Sequence, residues 1–135
     1  MFIGLAGLRA LGVPTDFEMM LGTMTGLDPG TTALAMGFAI HFLIAGLIGL
    51  IYAWGFERIT RRAGVMIGAA FSVLNAIAGG LFMGLVPVMH PLIPESMPAP
   101  GAFMANLGTA GILAEFILHL VYGGVVGAVY RPVRV

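Results

Sequence analysis

Residues 31–55 read TTALAMGFAIHFLIAGLIGLIYAWG, a long apolar stretch without a single charged side chain. About 20 helical residues of this kind are enough to cross the hydrocarbon core of a bilayer, so the stretch predicts a transmembrane helix. Residues 64–86 and residues 109–130 are apolar over comparable lengths. The sequence therefore predicts three membrane spans.

The composition supports the same conclusion for the whole chain. Of 135 residues, 59% are hydrophobic and 9% are charged, and the mean hydropathy is +1.04. A soluble domain carries about 25% charged residues, because its surface faces water. The surface of this chain must face lipid instead. The formal net charge is zero and no basic run occurs, so we expect no nucleic-acid partner.

The segments outside the spans complete an all-α membrane bundle of about four helices, formed by residues 1–135 as one domain. Residues 1–13 predict a short apolar helix, since they would reach only about 20 Å. Residues 14–30 predict an interfacial segment that lies flat, with Thr15 or Asp16 as a helix cap. Residues 87–108 contain the five prolines from 87 to 100 and predict an outer, non-helical loop.

Thr31 or Thr32 is expected to cap the first span.

The arginines predict the orientation. Arg9 stands alone on one side of the predicted bundle, against five arginines on the other side: Arg58, Arg61, Arg62, Arg131 and Arg134. Because positively charged residues accumulate on the cytoplasmic side, we expect a bacterial inner-membrane protein with both chain ends in the cytoplasm.

An internal repeat links the first and third spans. Residues 41–52, HFLIAGLIGLIY, and residues 119–130, HLVYGGVVGAVY, share the form H-x3-[AG]-G-x2-G-x2-Y. The small residues, Gly49 and Gly127 among them, form a stripe suited to close helix packing. If the N-terminal helix pairs with the first span, the chain consists of two helical hairpins in parallel repeat.

These features resemble a known group of proteins. The H-x3-GG-x2-G-x2-Y ending, the short N-terminal helix and the sequence LGVPTDFEMMLGTMTG at residues 11–26 are similar to small bacterial inner-membrane proteins of the YagU-like kind. The resemblance implies a compact helical membrane protein. It implies no activity, substrate or catalytic residue.

Four polar residues are predicted near the middle of the membrane: His41, Asn75, Glu115 and His119. Polar groups in lipid are costly, so each requires a partner or a function. The favoured interpretation is a polar cluster that holds the helices together, with Glu115 orienting His119. One alternative is a haem b ligated by the two histidines. Another is a proton or ion path through the four residues.

A second group of candidate ligands consists of methionines that are predicted to lie in the outer half of the bundle. They accompany His90, and thioether and imidazole groups suit Cu(I). The simpler interpretation is that methionine is an adaptable apolar filler. The residues are Met19, Met20, Met24, Met83, Met89, Met97 and Met104.

The sequence predicts no enzyme and no cofactor. It contains no cysteine, and no catalytic motif is recognisable. We expect an accessory or scaffold subunit that contacts lipid and other membrane subunits or itself. Apolar residues expected at the outer surface, such as Met20 and Ile93, would mark the contact. The alternatives are a haem- or copper-binding protein and a small ion or solute transporter.

Overall fold

The structure, a computed structural model, describes residues 16–132. This range is helical and contains no strand. Its helices are α1 (Phe17–Thr23), α2 (Thr31–Gly55), α3 (Val65–Met89) and α4 (Gly108–Val129). A π-helical turn, Phe56–Thr60, extends α2, and a 3₁₀ turn, Ala102–Leu107, precedes α4.

Three of these helices are long and apolar enough to cross a membrane. The predicted fold class, an all-α membrane bundle, is therefore confirmed within the described residues. The helix predicted for residues 1–13 lies outside them.

The long helices alternate in direction and so define two ends of the bundle. Arg58, Arg61, Arg62 and Arg131 lie at one end, here called the arginine end. The opposite end carries residues 90–107, here called the proline cap, which connect α3 to α4.

Helix α1 packs antiparallel on α2, which corrects the prediction that residues 14–30 lie flat at the interface. The backbone of Ala33 lies against Gly22, and the backbone of Glu18 lies against Gly37. The helix axes approach this closely because Gly22 and Gly37 lack side chains. The predicted cap is confirmed at Asp16, whose carboxylate accepts the Met19 N–H at 3.3 Å.

Helices α3 and α4 form the second hairpin by the same principle. Gly68 of α3 contacts the backbone at Gly123 and Gly127 of α4, and Gly127 also contacts Gly64. Gly49 of α2, which aligns with Gly127 in the repeat, makes a different contact. A Cβ at Gly49 would meet only the Tyr122 hydroxyl, at 3.3 Å. The repeated glycine stripe therefore serves a backbone contact in α4 and a side-chain contact in α2.

One predicted helix boundary and one predicted helix cap were wrong. Helix α3 continues through Pro87 to Met89 instead of ending before the proline. Pro87 removes the hydrogen bond that an N–H at this position would donate to the Met83 carbonyl, and the helix ends two residues later, at Met89. Helix α2 begins after Gly30 with no side-chain cap, so neither Thr31 nor Thr32 has the predicted role.

The proline cap folds over the bundle on a small apolar core. This core consists of Met20, Met83, Val86, Ile93 and Met104, all buried. The expectation that Met20 and Ile93 form an exposed apolar surface was therefore wrong. The large exposed apolar side chains lie instead mainly along the three long helices, where a bilayer would cover them.

Leucine at Gly127 is expected to destabilise the bundle, because the side chain would force α4 away from the α3 backbone. Overpacking of this kind typically costs about 1–3 kcal/mol, and a backbone clash costs more. Thermal unfolding in detergent micelles measures the effect. Gly46→Leu is the matched control, since Gly46 has open space within 4 Å. Equal stability of the two variants would show that the α3–α4 contact does not hold the hairpin together.

Candidate functional site

A cavity of about 360 Å³ lies between the two hairpins. Its volume falls within the range of small-molecule sites, about 300–1,000 Å³. The wall is mostly apolar, but all four residues of the predicted midplane cluster line it. The lining residues are Phe17, Leu21, His41, Ile44, Ala45, Ile48, Asn75, Ala78, Gly79, Phe82, Met83, Met104, Glu115, Leu118, His119 and Tyr122.

The cavity exists because the hairpins meet each other differently from the helices inside each hairpin. Within a hairpin, glycines bring the backbones into contact. Between the hairpins, α2 reaches α4 through a long side chain, since the Tyr122 hydroxyl donates a hydrogen bond to the Ala45 carbonyl. Helices held apart by side chains leave space between them, and the side chains of residues 16–132 do not fill it.

His119 is oriented by its own helix. Its Nδ1 lies 2.7 Å from the backbone carbonyl oxygen of Glu115. A carbonyl only accepts, so Nδ1 must donate, and a neutral ring then carries its lone pair on Nε2. The Glu115 carboxylate lies 3.6 Å from the same Nδ1. The predicted pairing of Glu115 with His119 is therefore present, although the hydrogen bond goes to the backbone of Glu115.

His41 has a different carboxylate partner, Glu18 of α1, whose Oε1 lies 3.8 Å from His41 Nδ1. Both side chains are buried, and the Phe17 ring packs edge-on against the imidazole at 4.9 Å. Sequence reasoning missed Glu18, because residues 14–30 were assigned to the interface. The repeat hypothesis gave no clue to Glu18, since it paired the first span with the helix predicted for residues 1–13.

The two carboxylate–histidine pairs are related but not identical. In the first hairpin the carboxylate comes from α1, and it is the backbone of Glu18 that lies against Gly37 of α2. In the second it comes from α4 and faces Gly79 of α3, whose Cβ would lie 3.1 Å from Glu115 Oε1. Glycine on the facing helix therefore leaves room for the carboxylate only in the second hairpin.

Glu115 carries the least satisfied group of this site. The residue is 7% exposed, and its Oε1 has no hydrogen-bond partner among the residues that the structure describes. Unsatisfied buried oxygens of this kind are rare and costly. Asn75 lines the same cavity from α3.

The arginine end of the cavity is closed by aromatic side chains. Tyr122 lies one turn beyond His119, and its ring packs 5.8 Å from that of Tyr52. Phe56 contacts Phe71 and Tyr130, each at 5.5 Å between ring centroids. The aromatic cluster, as it is called below, consists of Tyr52, Phe56, Phe71, Tyr122 and Tyr130. Sequence reasoning also missed Tyr122. The available signal was that a tyrosine stands at this position of the repeat, where the first copy has Ile44.

The structure argues against haem between His41 and His119. A macrocycle with its iron at the level of the histidines extends well beyond one helical turn. The bond from Tyr122 to Ala45 occupies the space one turn below both histidines. Haem would therefore displace Tyr122 and the aromatic cluster with it.

The structure also argues against copper at His90. Its Nδ1 accepts the Leu92 N–H at 3.1 Å, and its Nε2 lies 2.9 Å from the Met20 carbonyl oxygen and 3.1 Å from the Thr23 hydroxyl. Both ring nitrogens are occupied, and the ring fastens the proline cap to α1. Residues 16–132 contain no group of three histidine, aspartate or glutamate residues that could hold a metal ion.

The methionines divide into two groups. Met20, Met83 and Met104 lie in the core of the proline cap, with Met24 and Met97 packed against it. Met89 is half exposed. The methionines in and against this core serve as apolar filler, as the simpler interpretation expected.

Tyr130 and Glu57 join the two hairpins at the arginine end. The Tyr130 hydroxyl donates to Glu57 Oε1 at 2.8 Å. This hydrogen bond to the carboxylate, with a smaller contribution from desolvation, raises the pKa of Tyr130 above its ordinary value of 10.0. Deprotonation would remove the donor and place two negative charges side by side.

No protein-family model, curated protein or solved structure matches this chain. The resemblance to YagU-like proteins therefore stays a prediction, and the function must be argued from the geometry of the site.

The Tyr130–Glu57 bond predicts a stability difference that depends on pH. Because the pKa of Tyr130 is higher in the folded state, its contribution is fully present below pH 10 and is lost as the pH rises through the raised value. Tyr130→Phe should therefore be less stable than the wild type at pH 8, and the difference should shrink above pH 10. Unfolding in detergent at both pH values measures this. A difference that is constant with pH would show that folding does not raise the pKa of Tyr130, and would contradict the role given to the Glu57 hydrogen bond.

Proposed function

We propose that the protein binds a small, mainly apolar solute in the cavity between its hairpins and carries it through the membrane. The observation that supports this most directly is the cavity itself, an apolar space on which the two histidines, Asn75 and Glu115 converge. Apolar pockets with a few convergent polar groups are the usual form of a small-molecule site. Ionisable residues within a membrane commonly mark a substrate or ion pathway.

The closure at both ends favours a carrier over an open channel. The proline cap covers one end, with Met83 and Met104 reaching the cavity from its core. The aromatic cluster covers the other end. A continuous pore would need both to open together, whereas a carrier opens one at a time. Movement of one hairpin against the other would do this with the helix contacts inside each hairpin intact.

Cavity occupation is expected to change the NMR signals of the methionines that line it. Neopentylbenzene, a compact neutral hydrocarbon, should shift the methyl resonances of Met83 and Met104 in ¹³C-methyl-labelled protein in dodecyl maltoside. Met66, which is 79% exposed, reports contact with hydrocarbon dissolved in the micelle. Ala78→Leu should abolish the selective shift, because Ala78 lines the cavity. Ala70→Leu, two turns away on α3, is the matched control. Equal shifts at Met66 and Met83 would contradict a binding cavity.

An accessory or scaffold role in a larger membrane complex stays a second prediction. The apolar surface expected to carry it, around Met20 and Ile93, is buried beneath the proline cap. A non-enzymatic protein is part of the proposal, since solute binding requires no covalent chemistry.

The proposed location is the bacterial inner membrane, with both chain ends in the cytoplasm. Four described arginines share one end of the bundle, and arginine accumulates on the cytoplasmic side. A reporter enzyme active only in the cytoplasm should be active when fused after Val135. The same reporter inserted in the exposed part of the proline cap, after Glu95, should be silent. The reverse pattern would invert the orientation.

A further inference from the structure

The polar groups of the cavity are arranged for a particular class of solute. Glu115 Oε1 has no hydrogen-bond partner among the described residues, although His119 Nδ1 lies 3.6 Å from it. The same oxygen lies beside His119 Nε2 above Gly79, whose Cβ would be 3.1 Å from the first atom and 3.3 Å from the second. With Nδ1 of the imidazole donating to a carbonyl, Nε2 of a neutral ring is an acceptor. The wall formed by Glu115 and His119 therefore offers hydrogen-bond acceptors, and a negative charge when the carboxyl group is ionised.

The apolar wall also suits a positive charge. Phe17, Phe82 and Tyr122 line the cavity, and aromatic faces attract cations within about 6 Å. Apolar surroundings strengthen both this attraction and the attraction to a carboxylate.

Charge balance then links the solute to a proton. A lone carboxylate in apolar surroundings is very costly. In the empty cavity the Glu115–His119 pair therefore holds one proton, either on the acid or on the imidazole, and is neutral as a unit. If a cation enters, the pair can release that proton to water and leave a carboxylate that neutralises the solute. One positive charge enters and one leaves, and no covalent bond forms to the solute.

We propose that the solute is an apolar organic cation, and that it exchanges for the proton of the Glu115–His119 pair. This inference rests on the proposed carrier function and names its substrate class. The proton and the cation compete for one site, so the affinity for the cation rises with pH.

Other titratable groups face the same cavity. His41 lines it from α2, and Glu18 of α1 lies beside His41. Tyr122 faces the cavity from α4, and α3 contributes the uncharged Asn75.

The test uses two probes of nearly the same shape. Benzyltrimethylammonium carries a quaternary nitrogen, and neopentylbenzene has carbon in its place. The quaternary cation has no acidic N–H, so a released proton must come from the protein. Binding is followed by the Met83 and Met104 methyl shifts in dodecyl maltoside. Proton release is followed with a pH indicator in weak buffer, before and after addition of each probe.

The proposal expects up to one proton released per bound cation and none on binding of neopentylbenzene. Cation affinity should fall roughly tenfold for each pH unit below the midpoint of release, since one proton competes with one cation. Glu115→Gln should bind the cation roughly tenfold more weakly or worse, because its charge partner is gone. It should retain neopentylbenzene, which shows that the variant is folded. Glu95→Gln, an exposed acid in the proline cap, should behave as the wild type.

The outcomes separate the two proposals. Binding of neopentylbenzene without the cation, or of the cation without proton release, would overturn this inference and leave the carrier function standing. No selective shift with either probe would overturn both. If Glu115→Gln fails to bind neopentylbenzene and is therefore misfolded, proton release by the wild type alone decides the matter.

Discussion

Close backbone contact at glycine is the constraint on which the rest of this structure depends. In lipid, apolar side chains gain little by leaving their solvent, so helices associate mainly through packing. Gly22 and Gly37 allow this packing in the first hairpin, and Gly68, Gly123 and Gly127 allow it in the second. Each hairpin is thereby a tightly joined unit. The space between the units is bridged by side chains, and the cavity follows from that difference.

The polar side chains of the cavity are tolerated because neighbouring groups reduce the free-energy cost of burying them. His119 uses the carbonyl four residues earlier in its own helix. His41 lies beside Glu18, which α1 can deliver only because it packs against α2. The glycines that join the first hairpin therefore also place its carboxylate, so helix packing and cavity chemistry have one origin. Glu115 Oε1 is the exception, and it is the atom on which a solute would act.

Much of the fold could be predicted from the sequence, because lipid imposes simple rules on length and hydropathy. The three long apolar helices followed from such rules, and the cap at Asp16 followed from the preference of aspartate for helix N-termini. That His41, Asn75, Glu115 and His119 share one cavity could not be predicted, since helix rotation and spacing depend on packing between distant residues. The position of α1 was missed for the same reason. A seven-residue helix that ends in polar loop residues has the composition of an interfacial segment, and only its glycine contacts show otherwise.

The two hairpins share a sequence pattern, yet the carboxylate beside the histidine comes from a different helix in each. It comes from the first helix, α1, in the first hairpin and from the second helix, α4, in the second hairpin. The walls that the two hairpins contribute to the cavity are therefore chemically unlike, even where their sequences repeat. A site with true twofold symmetry would accept a guest equally well in two opposed poses. The proposed solute, if it has a distinct head and tail, would have a single preferred pose here.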